Sequence, residues 1–118
     1  MVSADNDCLF CKIASGNLPT DFVYEDDNII AFRDINPQAP THILIIPKDH
    51  IPYVADINEA HSELIYSMFT TANKIALEEG ITSEGYRLVI NNGKGAGQTV
   101  FHLHLHLLGG RPMLWPPG

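Results

Sequence analysis

Phe101-His102-Leu103-His104-Leu105-His106-Leu107-Leu108 holds three of the chain's six histidines within five consecutive residues. Alternation at period two is a strand signal, because successive side chains on a strand point to opposite faces. Leu103, Leu105 and Leu107 are then expected on a core, with His102, His104 and His106 on the other face, same-face neighbours roughly 6.5–7 Å apart. An ordinary solvated face would draw on Thr, Lys, Glu and Ser rather than on one titratable residue three times. The row therefore reads as chemistry.

Working outward, the segment before the row is Asn91-Asn92-Gly93-Lys94-Gly95-Ala96-Gly97-Gln98-Thr99. Three glycines in five residues let backbone N–H groups turn towards an anion, and Lys94 and Thr99 add a charge and a hydroxyl. Alone this is a hairpin loop; placed before three imidazoles it favours a phosphate site. Neutral histidine is a competent nucleophile near pH 7, and a neighbouring ring can donate a proton. Attack by His104 on phosphorus would give a covalent phosphoryl- or nucleotidyl-histidine that water then hydrolyses. The rival use of such a row is a catalytic zinc with an open position, which a chelator would inactivate.

Further out, Phe22–Glu25 and Ile29–Arg33 flank Asp26-Asp27-Asn28 as a hairpin, and Asn36-Pro37-Gln38-Ala39-Pro40 is a rigid connector into the apolar strand His42–Pro47. Asn58 caps a long helix from Glu59 to about Glu79, stopped by Gly80. Its apolar stripe is Leu64, Ile65, Met68, Phe69, Ala72, Ile75 and Ala76, with His61 off the stripe as a solvated residue. Tyr86–Asn91 and Val100–Leu108 are two more strands, and residues 8–15 a short helix ended by Gly16. Strands before and after one helix predict an α+β layer: a five-stranded antiparallel sheet with helices on one face and the histidines on the open one.

At 118 residues the chain reads as one domain spanning 1–118, with 1–7 a flexible lead and 111–118 a tail. Seven basic against fourteen acidic residues, net −7, argue against nucleic-acid and anionic-membrane partners. The start shows no basic, apolar leader and no stretch approaches a membrane span, so a cytoplasmic location is expected, extended to the nucleus if the source is eukaryotic. In that reducing compartment Cys8-x-x-Cys11 is a metal clip or a pair of ordinary buried thiols rather than a disulfide. The histidines His42, His50, His61 and the row could supply two more ligands.

His102-Leu-His104-Leu-His106-Leu-Leu resembles the signature of the histidine triad (HIT) superfamily. Phe32-Arg-Asp34-Ile-Asn-Pro-Gln-Ala-Pro-Thr-His42-Ile-Leu-Ile-Ile-Pro-Lys and the ending Leu-Leu-Gly-Gly-Arg-Pro-Met-Leu-Trp-Pro-Pro-Gly are similar to its Hint branch. The resemblance implies a HIT-like fold pairing into a two-fold homodimer, and a purine nucleoside phosphoramidase that cleaves the P–N bond of adenosine 5′-phosphoramidates and AMP–amine (AMP-lysine type) conjugates through an AMP-histidine. Carried over by motif, His104 is the nucleophile and His106 contacts the phosphate. His42 and His102 hold the histidine network. Asp34 and Ile35 lie at ribose and base, and Asn91, Gly97, Gln98 and Thr99 surround the ribose–phosphate, Thr99 standing where the branch usually has Ser. Trp115 lies in a tail reaching towards the partner's site, where it affects leaving-group selectivity. Catalysis implies no cofactor. Other HIT proteins place a structural zinc on residues matching Cys8, Cys11, His50 and His102. The same resemblance leaves two alternatives: a dinucleoside polyphosphate hydrolase or nucleotidyl transferase, and a nucleotide-binding adaptor.

Overall fold

The computed structural model describes residues 7–118. The flexible lead expected at residues 1–7 thus lies, Asp7 apart, outside the described residues. The elements run α1 (Leu9–Ala14), β1 (Phe22–Glu25), β2 (Ile29–Arg33), β3 (Thr41–Pro47), α2 (Ser62–Glu78), β4 (Tyr86–Val89) and β5 (Leu105–Gly109). All strand pairs are antiparallel, in the order β1-β2-β3-β5-β4. No helix among the described residues is long and apolar enough to cross a membrane.

The sheet is apolar on both faces, which corrects the expectation of helices on one face. Alternate residues of β2 and β3 point opposite ways. Ile29, Ala31, Ile43 and Ile45 pack with Leu103, Leu105 and Leu107 against Met68, Ala72, Ile75 and Ala76 of α2. Ile30, Phe32, Leu44 and Ile46 pack on the other side against Phe10, Cys11 and Ile13 of α1. The histidines share that second side, so they do not lie on an open face: His102 and His104 are buried beneath α1.

Several boundaries and placements differ from the sequence reading. Asn58 does cap, its side chain accepting from the Ala60 N–H, but Glu59–His61 form a 3₁₀ turn before α2 begins at Ser62. His61 is half-buried and its Nδ1 accepts the Asn58 N–H, so it helps cap the turn instead of sitting free in solvent. Phe69 is partly exposed and Thr71 takes a buried position on α2, while Met68, Ala72, Ile75 and Ala76 keep the stripe as expected. The ladder of β5 starts only at Leu105, because the Leu103 N–H is taken by the Ile51 carbonyl (2.6 Å) instead of a neighbouring strand. Residues 100–104 lie outside the ladder, and His102, Leu103 and His104 are all buried in succession. Likewise β4 closes at Val89, short of Asn91.

Candidate active site

The His42 and His106 rings come together because the β3–β5 register sets Leu44 opposite His106, with His42 two residues along on the same face. A carbonyl oxygen can only accept a hydrogen bond, so partners identify which nitrogen of each ring carries the proton. His104 Nδ1 lies 2.7 Å from the His102 carbonyl and must donate to it, which leaves the lone pair on Nε2. The Gln38 N–H donates to His42 Nδ1 (3.0 Å), so His42 is protonated on Nε2 and donates to His106 Nδ1 at 2.9 Å. His106 therefore carries its own proton on Nε2. One ring offers an electron pair and the next offers a proton, and their centroids are 4.9 Å apart.

These rings are held neutral. Burial pushes His106 down to about 4, helped by repulsion from His104 and His42. Burial also lowers His104, against its bond to the His102 carbonyl and the pull of Asp34, and lowers His42 against Asp34, whose Oδ2 is 3.4 Å from Nε2. Neutral imidazole is the form a nucleophile needs.

His104 and His106 form one wall of a cavity of about 450 Å³, lined elsewhere by Phe10, Ile13, Leu18, Phe32 and Leu44 and closed at its mouth by Asp34, Ile35 and Thr99. Ile35 is fully exposed at that mouth. Apolar walls with a few convergent polar groups describe a small-molecule site, and this volume suits a nucleotide. Phe10 stands edge-on to His104 at 5.1 Å between ring centroids. The sequence reading passed over it, although its position between Cys8 and Cys11 was a signal.

Other expected site residues lie elsewhere. Gln98 is buried and its amide is engaged with the chain itself: Oε1 accepts the Gly93 N–H, and Nε2 donates to the Pro52 and Val100 carbonyls. It shapes the glycine loop from within. Gly97 (φ +95°) closes that loop, and neither it nor half-buried Asn91 lines the cavity. Trp115 is exposed.

Behind the site is a second constellation. His102 donates from Nε2 to the Pro47 carbonyl (2.8 Å), so Nδ1 holds the lone pair. That atom lies 3.4 Å from Cys8 Sγ, 3.5 Å from Cys11 Sγ and 3.3 Å from His50 Nδ1, with Cys11 Sγ 3.2 Å from His50 Nδ1. Burial lowers His102 to about 4. Two thiols and two imidazole nitrogens with edges near those of a tetrahedral zinc site, about 3.3–3.8 Å from its bond lengths, fit that ion. Asp34, His42 and His106 also converge, but the facing nitrogens of the two histidines are used on each other.

A family model described as the HIT domain matches residues 15–113. The chain is 53% identical over 105 residues to the purine nucleoside phosphoramidase of Escherichia coli K12, covering 89% of this chain and 88% of that one. It is 50% identical over 116 residues to a 14 kDa zinc-binding protein of Zea mays, covering 97% and 90%. A HIT family hydrolase of Legionella pneumophila Philadelphia 1 superposes with a TM-score of 0.93 at 59% identity, over 95% of this chain and 100% of the other. With the histidine row, the five-stranded sheet and these relatives in agreement, the chain belongs to the HIT domain family.

Proposed function

We propose that this protein is a purine nucleoside phosphoramidase that hydrolyses the P–N bond of adenosine 5′-phosphoramidates and AMP–amine conjugates, with His104 as nucleophile. The observation that carries the reading is the opposed protonation of neighbouring rings: His104 is bare on Nε2, and His106 is protonated on Nε2. His104 Nε2 bonds to phosphorus as the P–N bond breaks, and the amine leaves once its nitrogen has taken up a proton. The His106 N–H meets charge developing on the phosphoryl oxygens, where a preorganised donor counts most. Water then displaces the histidine and releases AMP. Asp34 takes the ribose hydroxyls, Phe32 and Ile35 the base, and Thr99 the phosphate side. The relative named purine nucleoside phosphoramidase supports this substrate class. Rapid quenching of an AMP–amine reaction is expected to leave one adenylylated histidine, His104, in the mass spectrum. A label on any other residue, or none under turnover, refutes the assignment.

The depressed histidines set the pH response. Protonating the His42–His106 pair destroys its donor chain, and because burial lowers both rings this requires a pH below the ordinary histidine range, down to about 4 for His106. Activity is expected to stay level from pH 7.5 through 6.5 and to fall only as pH approaches about 4, the value for His106. Stability follows the same sign. Between about 6.5 and about 4 the unfolded chain binds protons that native His106 refuses, so the fold weakens as pH drops through that window. A pH–rate profile with a midpoint at 6.5 would contradict this.

Cys8, Cys11, His50 and His102 are proposed to hold a structural zinc, which would tie α1 to the catalytic segment and take no part in the reaction. The zinc-binding relative from maize supports the assignment. A two-fold homodimer is part of the same reading: β4 is an edge strand, and α2 exposes Tyr66, Phe69 and Leu77. Light scattering is expected to read the mass of two chains, and a monomer at micromolar concentration would end that part.

A further inference from the structure

Arg111 belongs to no function assigned above. It follows Gly109-Gly110 at the end of β5, where the chain turns back over the connector before β3. Gly110 has φ +90°, and a Cβ there would come within 2.9 Å of Pro40 Cβ, so the turn is made against that connector. From this position Arg111 Nε donates to the Gln38 carbonyl at 2.9 Å and Nη1 donates to the Pro112 carbonyl at 2.9 Å. Gln38 is the residue whose N–H donates to His42 Nδ1. Its side-chain Nε2 is occupied with the Asn36 carbonyl. Gln38 is therefore gripped from outside by the guanidinium while its N–H aims inward at the histidines.

The chain of donors runs from Arg111 to the Gln38 carbonyl, from the Gln38 N–H to His42 Nδ1, and from His42 Nε2 to His106 Nδ1. We infer that Arg111 is a positioning residue for the phosphoryl site: by fixing Gln38 it keeps the His42 proton on Nε2, and so the His106 proton on the nitrogen that faces the cavity. The kinetic half of this inference rests on the phosphoramidase reading; the proton placement does not.

The physical reason is tautomer choice. An N–H pointed at Nδ1 forbids a proton there, because two donors cannot face each other. Once Gln38 drifts, His42 Nδ1 can take the proton, either as the other neutral tautomer or as imidazolium. In the other neutral tautomer His106 loses its donor and its own proton can move to Nδ1, which turns a lone pair towards an anionic phosphate. The groups facing His42 are Asp34 Oδ2 at 3.4 Å and His106 Nδ1 at 2.9 Å, with His104 beyond His106 and the Arg111 charge across Gln38. Asp34 favours the charged ring and the Arg111 charge opposes it, so removing Arg111 is expected to make His42 easier to protonate.

The full chain carrying R111Q or R111K would be compared with the parent protein by long-range ¹⁵N–¹H spectra of the histidine rings, by melting, and by hydrolysis of an AMP–amine from pH 5 to 8. In R111Q the His42 and His106 nitrogen shifts are expected to change while those of His61 do not. Its kcat is expected to fall roughly 10- to 100-fold with KM within about threefold, the loss typical of a misplaced catalytic group. Its acid limb is expected to move to higher pH. R111K, which keeps a donor and the charge, is expected to recover at least half of the loss on a logarithmic scale. Unchanged His42 and His106 nitrogens in R111Q overturn the proposal, as does a loss confined to KM. An R111Q chain that no longer folds overturns it too, because Arg111 is then a stability residue. A parent protein inert on the AMP–amine, with both rings still shifted in R111Q, counts for the proton placement and against the reaction.

Discussion

His104→Ala is expected to lower turnover of an AMP–amine by about 10⁴-fold or more while AMP still binds within a few-fold of the parent affinity. Removing a covalent nucleophile from a preorganised site typically costs that much, since the remaining donors can stabilise charge but cannot form the intermediate. Binding survives because the base and ribose are expected against Phe32, Ile35 and Asp34, none of which needs the His104 ring. The fold should also survive. Among the described residues the His104 side chain makes one hydrogen bond, to the His102 carbonyl, so the variant gives up that one bond and no ladder pairing. Calorimetry with AMP and single-turnover rates check the two halves separately. Hydrolysis by the variant at the parent rate would falsify the nucleophile assignment, and lost AMP binding would show that His104 is an affinity residue first. His104→Ala is also the variant that addresses the adaptor alternative: if it restores a deletion phenotype as well as the parent does, binding rather than turnover is the biological work.

The second large effect is expected from the metal. Elemental analysis of the purified protein is expected to find one zinc per chain, and chelation to lower Tm by roughly 10–20 °C. A ligand held at about a thousand times its Kd adds roughly 4 kcal/mol to the native state, and in a domain of this size that shifts melting by several degrees per kcal/mol. His50→Ala should reproduce most of the drop, although His50 does not line the catalytic cavity. Activity should follow the melting curve rather than vanish at once on adding chelator, which separates a structural ion from a catalytic one. No stoichiometric zinc, or a Tm indifferent to chelator, ends the assignment. The consequence for catalysis would be indirect: Cys8 and Cys11 bracket Phe10, whose ring packs edge-on to both His102 and His104.

Much of the fold was legible because local periodicities report which side of an element meets a core. The alternation through Leu103, Leu105 and Leu107 predicted their shared burial, and all three do pack with α2. The hairpin, the proline connector and the stop at Gly80 followed from turn chemistry that acts within a few residues. Two readings failed for one reason. The histidines were expected on an open face and Phe69 in the core, yet burial of both is decided by a neighbour the pattern cannot name: α1 covers the histidines, and the crossing of α2 over the sheet selects Thr71 instead of Phe69. Gln98 shows the same limit, since its amide serves the Pro52 carbonyl, 46 residues away in sequence.

For the site, residue types and spacing in the sequence were enough to single out His104 and its neighbours as candidates for the chemistry and Cys8 with Cys11 as a candidate metal clip. They could not distribute the protons. The tautomer of each ring depends on one atom brought to it by the fold: the Pro47 carbonyl for His102, the Gln38 N–H for His42 and, through it, His106. Cys8 and His102 stand 94 residues apart and meet only because α1 packs against the side of the sheet opposite α2. A strand pattern determines that the three imidazoles exist and which way they face. Tertiary structure decides which is bare, which is protonated and which is turned to the thiols, because a hydrogen bond is set by distances of about 3 Å between atoms that the chain alone leaves far apart.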